Sequence, residues 1–380
     1  MLFIGMSIYF DSNATTEVDE RVAELVQKYL ITEYGNAGSR THQMGLDAKK
    51  AVNQAREQIA AVTGDSADVV FFTSGATEAN NLAILGLRDH IFSQPSPHII
   101  TTAVEHKAVL EPIEQLENQG ADVTYIQVDE RGWPDPKHLS AALKPETVLV
   151  STMHVNNETG IEFPLGDYAG ILEGHAAFWH VDAAQGFGKK TGPLRNERID
   201  LISYSGHKLF APKGIGALVA RRREFTRPPL EPLMFGGGQE RGLRPGTLPV
   251  ALIAGFGLAA ELAEEEKEQR AKECLTRREE FLKAILPLQP VFIGDQERVL
   301  PHIVNVSFPG IDSEAAMIAT KDLVSISNGS ACTSSSMEPS HVLIAMGLGE
   351  KQSSEALRVS WSHQTPSTDW SVFVERLKRF

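Results

Sequence analysis

Between residues 69 and 220, seven short apolar runs alternate with stretches of helical periodicity, and nothing else in this 380-residue chain restricts its fold so tightly. The runs are Val69–Phe72, His98–Thr101, Val123–Ile126, Val148–Ser151, Phe178–Val181, Leu201–Tyr204 and Gly216–Val219. Strand–helix–strand units of this kind build one large, mainly parallel sheet flanked by helices, an α/β architecture. Ligands of such sheets collect beyond the carboxyl ends of the strands, so the polar residues directly after each run are the first place to look for chemistry. A long helical segment, about Val250 to Leu286, follows and reads as a connector. Two further strands, Ile303–Phe308 and Leu357–Ser360, have helices between and after them, enough for a small second domain. The length agrees, since 380 residues exceed one ordinary hydrophobic core.

Composition narrows the function. Charged residues at 22% and hydrophobic ones at 42% describe a soluble globular enzyme. Thirty-six Lys and Arg stand against 49 Asp and Glu, and a formal charge of -13 disfavours direct nucleic-acid binding. The one compact basic run, Arg221–Arg223, reads as a solvated loop. Two cysteines make neither a disulfide framework nor a paired metal site, so no metal is expected and a reducing cytoplasm is the natural home. The N-terminus is apolar without a basic leader, and no window approaches the roughly 18 apolar residues of a membrane helix.

Chemistry-bearing residues follow the strands. Lys208 ends Ser205-Gly206-His207-Lys208, and Asp182 closes the run from Phe178. An amine nucleophile after one strand and a carboxylate after another are the two fixed points of a pyridoxal phosphate site, the carboxylate keeping the pyridine nitrogen protonated. Thr73-Ser74-Gly75-Ala76-Thr77-Glu78 opens a helix and suits a phosphate, although taken alone it favours an ordinary cap made by Thr73 or Ser74. His106, after the second run, reads alone as an ordinary surface or hydrogen-bonded histidine, but on the same sheet edge as Asp182 and Lys208 it could stack on a flat cofactor and move protons. Met153–Gly160, containing Asn157, reads either as a polar site turn or as an asparagine-rich connection. Arg358 has the planar guanidinium that grips a carboxylate bidentately. Cys332 lies in a stretch of small polar residues from Ser325 to Ser336, suited to an accessible nucleophilic thiol, whereas Cys274 reads as a helix residue without chemistry. The glycine-rich Phe235–Thr247 stretch reads as a functional loop or a subunit contact.

Together these motifs, from Tyr9-Phe10-Asp11-Ser12-Asn13-Ala14-Thr15-Thr16 to Arg358, closely resemble the NifS/IscS-type cysteine desulfurases, a branch of the class V aminotransferase group of fold-type I pyridoxal phosphate (PLP) enzymes. The resemblance implies an N-terminal arm over 1–16, a large PLP-binding domain over 17–262, and a small α+β domain over 263–380 that carries the cysteine loop at about 325–337. It implies Lys208 as the Schiff-base lysine, His106 stacked on the ring, Asp182 at the pyridine nitrogen, and Gln185 and Asn157 near the ring hydroxyl or substrate. Ala76, Thr77, Ser205 and His207 would bind phosphate, Thr247 would reach across from the second subunit of a homodimer, and Arg358 with Asn13 would hold the substrate carboxylate. The implied reaction converts L-cysteine to L-alanine and a persulfide on Cys332, for delivery to an acceptor protein. An aminotransferase or a selenocysteine lyase would share Lys208, Asp182 and His106, and Cys332 is the discriminator. Pro245 replaces the small polar residue common before Gly246-Thr247. The residues after Arg358 fall short of the extension with which iron-sulfur members dock their scaffold, and Tyr34–His42 resembles desulfurases attached to DNA phosphorothioation systems. The acceptor stays open among iron-sulfur, tRNA and DNA phosphorothioation pathways.

Overall fold

The computed structural model describes residues 7–328 and 339–380. The seven runs become β2 (Val70–Thr73), β3 (His98–Thr102), β4 (Asp122–Ile126), β5 (Thr147–Met153), β6 (Phe178–Asp182), β7 (Leu201–Ser205) and β8 (Gly216–Ala220), after a short β1 (Ile8–Tyr9). They form one sheet in the order β2-β8-β7-β6-β5-β3-β4. Only β8 runs against its neighbours, pairing antiparallel with both β2 and β7. The carboxyl ends of β2, β3, β5, β6 and β7 therefore all emerge at one edge. The chain steps from β3 outward to β4 and then back past β3 to β5, and that reversal opens a crevice between β3 and β5. Of the seven runs only Val69 falls outside its strand, belonging to the 3-10 turn Ala67–Val69; in the later run Ile303–Phe308 the strand stops at Ser307.

The strands are apolar on both sides because both faces are covered. Val70, Phe72, Ile100, Val150, Ile202 and Val219 pack with the helices Gln43–Thr63 and Val250–Glu265, while their neighbours Phe71, Ile99, Leu149, Leu201 and Leu218 pack with Ala76–Leu85 and Lys107–Glu117. Gly257 lets two of these helices touch: a Cβ there would come 2.5 Å from the Cα of Ala55.

The segment from Val250 is not one helix. It is Val250–Glu265 and Lys267–Ile285, broken at Glu266, whose carboxylate is bound by Arg21 and Arg270. The first half packs on the large sheet and the second on a separate apolar cluster with Phe281, Trp361, Trp370 and Phe373. That cluster backs a three-stranded antiparallel sheet of β9 (Val291–Ile293), β10 (Ile303–Ser307) and β12 (Ala356–Ser360), while β11 (Val324–Ser325) pairs in parallel with β1. Of these only β10 and β12 were expected. Arg221–Arg223 is not a solvated loop either: Arg221 is buried, pairs with Asp65 at 2.7 Å and donates to the carbonyls of Leu194 and Asn196, and Arg223 pairs with Asp200 at 2.6 Å. Among the described residues no helix is long and apolar enough to cross a membrane, and no cluster of metal-ligating side chains occurs.

Candidate active site

A cavity of about 480 Å³ lies at the strand-end edge, and Asn13, Ala76, Thr77, His106, Asn157, Asp182, Gln185, Ser205, His207, Lys208 and Arg358 all line it. Two expected members are not among them. Thr247 is exposed and does not line this cavity, and Cys332 lies outside the described residues.

Lys208 ends the one-turn segment Gly206–Lys208 that follows β7. Its Nζ donates to the carbonyls of Asn13 and Ala14, the latter at 2.8 Å. The arm carrying those carbonyls is fastened to the lysine turn, with Thr16 N donating to the His207 carbonyl at 2.9 Å and Phe210 N to Thr16 Oγ1 at 2.8 Å. These bonds hold Phe210 at a φ of 61°, a costly conformation for a bulky side chain, two residues from the amine. Burial and the nearby Lys208 and Lys213 ammonium groups push His207 down to about 4, so it enters the site as a neutral ring.

Asp182 is buried with both oxygens engaged. Oδ2 accepts from Asn80 Nδ2 at 2.7 Å and Oδ1 from Ala184 N at 2.9 Å. Asn80 was not singled out from sequence, because in the pair Asn80-Asn81 after Gly75 it looks like any polar helix position. His106 caps the helix Lys107–Glu117, its Nδ1 accepting from Ala108 N at 3.0 Å, which leaves the hydrogen of the neutral ring on Nε2. Burial pushes its pKa down, the Asp182 carboxylate opposes that, and the Lys208 and His341 charges add to it.

The turn after β2 is not the ordinary cap that the motif alone favours. Gly75 is the cap residue, no side chain caps the helix Ala76–Leu85, and Thr73 Oγ1 donates to the Gly75 carbonyl instead. Glu78 turns away from the first-turn amides to accept from Ser74 N at 2.7 Å and to pair with Arg244 at 2.8 Å. The helix N-terminus therefore faces the cavity with its donors uncommitted to side chains, beside Ser205 Oγ, which is buried without a partner.

At the other end, the Asn157 carbonyl accepts from Arg358 Nη1 at 3.1 Å and from Asn13 Nδ2 at 2.8 Å, and Gln185 Nε2 donates to the Asn13 carbonyl at 3.0 Å. Asn157 Oδ1 and Gln185 Oε1 are left buried and unpartnered. Two buried acids were also missed. Burial pushes the Glu105 carboxyl up to about 8 and that of Glu158 up to about 7; Glu105 sits beside His106 in the chain, and Glu158 accepts from Ser340 Oγ at 2.5 Å.

The class-V aminotransferase family model matches residues 8–372. The chain is 43% identical over 376 residues to the cysteine desulfurase IscS of Vibrio cholerae, covering 98% of this chain and 92% of that one. A NifS-like protein superposes with a TM-score of 0.90 at 35% identity, covering 98% of this chain and 99% of the other. DndA from Streptomyces lividans superposes with a TM-score of 0.82 at 46% identity, covering 95% and 99%.

Proposed function

The chain belongs to the cysteine desulfurases of the class-V aminotransferase family, and on that premise we propose that the cavity beyond β3, β5, β6 and β7 holds pyridoxal phosphate and takes L-cysteine. The observation that carries this reading is the convergence of Lys208 and Asp182, from the ends of neighbouring strands, on one space edged by unpartnered polar atoms. The residues present fit such a cofactor. The uncapped amides at Ala76 and Thr77, with Ser205 Oγ and His207, suit its phosphate. Asp182, fixed by Asn80 and the Ala184 amide, suits a pyridinium N–H. Asn157 Oδ1 and Gln185 Oε1 are acceptors awaiting a donor, as the ring hydroxyl is.

Pyridoxal phosphate supplies, when bound, the electron sink that labilises bonds at the α and β carbons of an amino acid. The chain's own residues do the rest. Lys208 Nζ, held at the arm carbonyls, moves the proton at the substrate's α-carbon. The neutral His106 ring, which lines the cavity, would pack against the bound cofactor and offer its Nε2 hydrogen to the reacting sulfur. Arg358 and Asn13 orient the substrate by its carboxylate. Cys332 Sγ forms a sulfur–sulfur bond as the substrate's Cβ–Sγ bond breaks, which leaves alanine and a persulfide that an acceptor protein takes up. Thr247 comes to the phosphate from a second copy of the chain in a homodimer.

The test is to add L-cysteine to purified holoenzyme and measure alanine and protein-bound sulfane sulfur together. Equal molar amounts in the first turnover are expected, and a Cys332→Ser variant should keep its cofactor yet carry no sulfane sulfur. Cys332→Ser releasing sulfide at the parental rate would defeat the assignment of the thiol. Labelled cysteine followed into candidate proteins then separates an iron-sulfur scaffold from a DNA-modification acceptor.

A further inference from the structure

Arg358 reaches the cavity already engaged. Its Nη2 donates to Asp11 Oδ1 at 2.8 Å and its Nη1 to the Asn157 carbonyl, while Nε is buried without a hydrogen-bond partner. The side chains are 1% and 18% exposed for Arg358 and Asp11. The same Asp11 oxygen accepts from Ser327 Oγ at 2.9 Å. Backbone fixes all three residues: Asp11 bridges Ser360 in parallel, and Ser327 pairs with Arg358 through bonds of 2.7 and 3.3 Å. The Asp11 carboxylate is thus built against the guanidinium from two sides.

We propose that Asp11 is an internal counter-carboxylate that competes with the amino acid for Arg358, and so sets how tightly the site holds both cysteine and alanine. The inference rests on the assignment of Arg358 to the substrate's carboxylate. A guanidinium offers five N–H donors but one charge. The edge formed by Nε and Nη2, the side fork that a carboxylate grips, is already half taken by Asp11. An incoming carboxylate finds a cation that is neutralised in advance, and two carboxylates on one shielded guanidinium repel more strongly than they would in water. Substrate and product carry the same α-carboxylate, so Asp11 weakens both alike. Such uniform weakening raises KM without touching the bond-breaking step, and it hastens departure of alanine. Asp11 is accordingly a positioning residue that acts through Arg358.

The experiment uses holoenzyme with Asp11→Asn, Asp11→Ser and Arg358→Lys variants, each checked for cofactor content and thermal unfolding. L-alanine and ethylamine, its counterpart without the carboxylate, are titrated against each, followed by the absorbance of the bound cofactor. Asp11→Asn should tighten alanine about tenfold, the factor equivalent to ~1.4 kcal/mol, and leave ethylamine unchanged. The KM for L-cysteine should fall in proportion with kcat within about twofold, a split that loss of a merely structural contact would not give. Asp11→Ser, which removes the charge and the reach, must move alanine in the same direction. Alanine affinity unchanged or weaker in both Asp11 variants, while Arg358→Lys still weakens alanine alone, overturns the competition. Equal effects of Arg358→Lys on both probes overturn the Arg358 assignment and this inference with it.

Discussion

Replacing Asn80 by leucine strands one oxygen of Asp182 in a buried setting. The Asn80 Nδ2 to Asp182 Oδ2 bond is 2.7 Å long, Asn80 is fully buried, and the only other described donor to this carboxylate is the Ala184 amide. A hydrogen bond to a charged group contributes about 1.5–3 kcal/mol. On the proposed assignment of Asp182 to the pyridine nitrogen, that bond orients the carboxylate, so most of the loss should appear in cofactor binding: roughly 10- to 150-fold weaker affinity for pyridoxal phosphate. Leucine keeps the γ-branched skeleton but its methyls are bulkier than the amide, so any packing strain registers in thermal unfolding without cofactor and is read separately from cofactor affinity. The assay is titration of cofactor-free protein with pyridoxal phosphate, by absorbance, beside thermal unfolding without cofactor. Affinity within about twofold of the parent would refute the view that Asn80 orients Asp182, whatever happens to the melting temperature.

Glu158 and Glu105 give a pH dependence of fixed sign. Their native values, about 7 and about 8, lie above an ordinary glutamate, so the native state binds more protons than the unfolded state and stability falls as pH rises through that window. In urea unfolding between about pH 4.5 and 7, Glu158→Gln should lose less stability with rising pH than the parent; parallel curves would contradict it. Arg221→Ala leaves Asp65 without its buried partner and should cost ~3–5 kcal/mol in urea unfolding, with turnover of the surviving folded protein unchanged.

The large sheet was legible because its strands are buried on both faces, so the apolar runs stand out whatever surrounds them, and the residues at their carboxyl ends could be read as site residues in turn. Lys208, Asp182, His106 and Asn157, read in that way from the turns that follow the runs, all line the same cavity. The helix break at Glu266 was not legible, since the charged run Glu264–Glu268 around it is good helix sequence. What ends the first helix is tertiary: Arg21, some 245 positions away, takes the Glu266 carboxylate. Arg221–Arg223 misled for the same reason, because the acids that pair with Arg221 and Arg223, Asp65 and Asp200, lie elsewhere in the chain.

The N-terminal arm shows most plainly what periodicity cannot reveal. Asn13 uses its backbone carbonyl for Lys208 and Gln185, its amide nitrogen for the Asn157 carbonyl, and its Oδ1 for His302 Nε2 at 3.1 Å. One residue near the start of the chain thereby ties together the ends of β5, β6 and β7 and the segment before β10. No local pattern marks such a residue, for its neighbours Asp11 to Thr16 form only a short turn. Its position is set by β1 pairing with β11 and by Phe10 packing on Trp370, contacts made to the smaller apolar cluster. The large sheet supplies the reactive groups, and the smaller cluster, through this arm, holds the carbonyls that fix the amine of Lys208. A change that loosens Phe10 from Trp370 therefore reaches the Lys208 amine through the arm carbonyls that hold it.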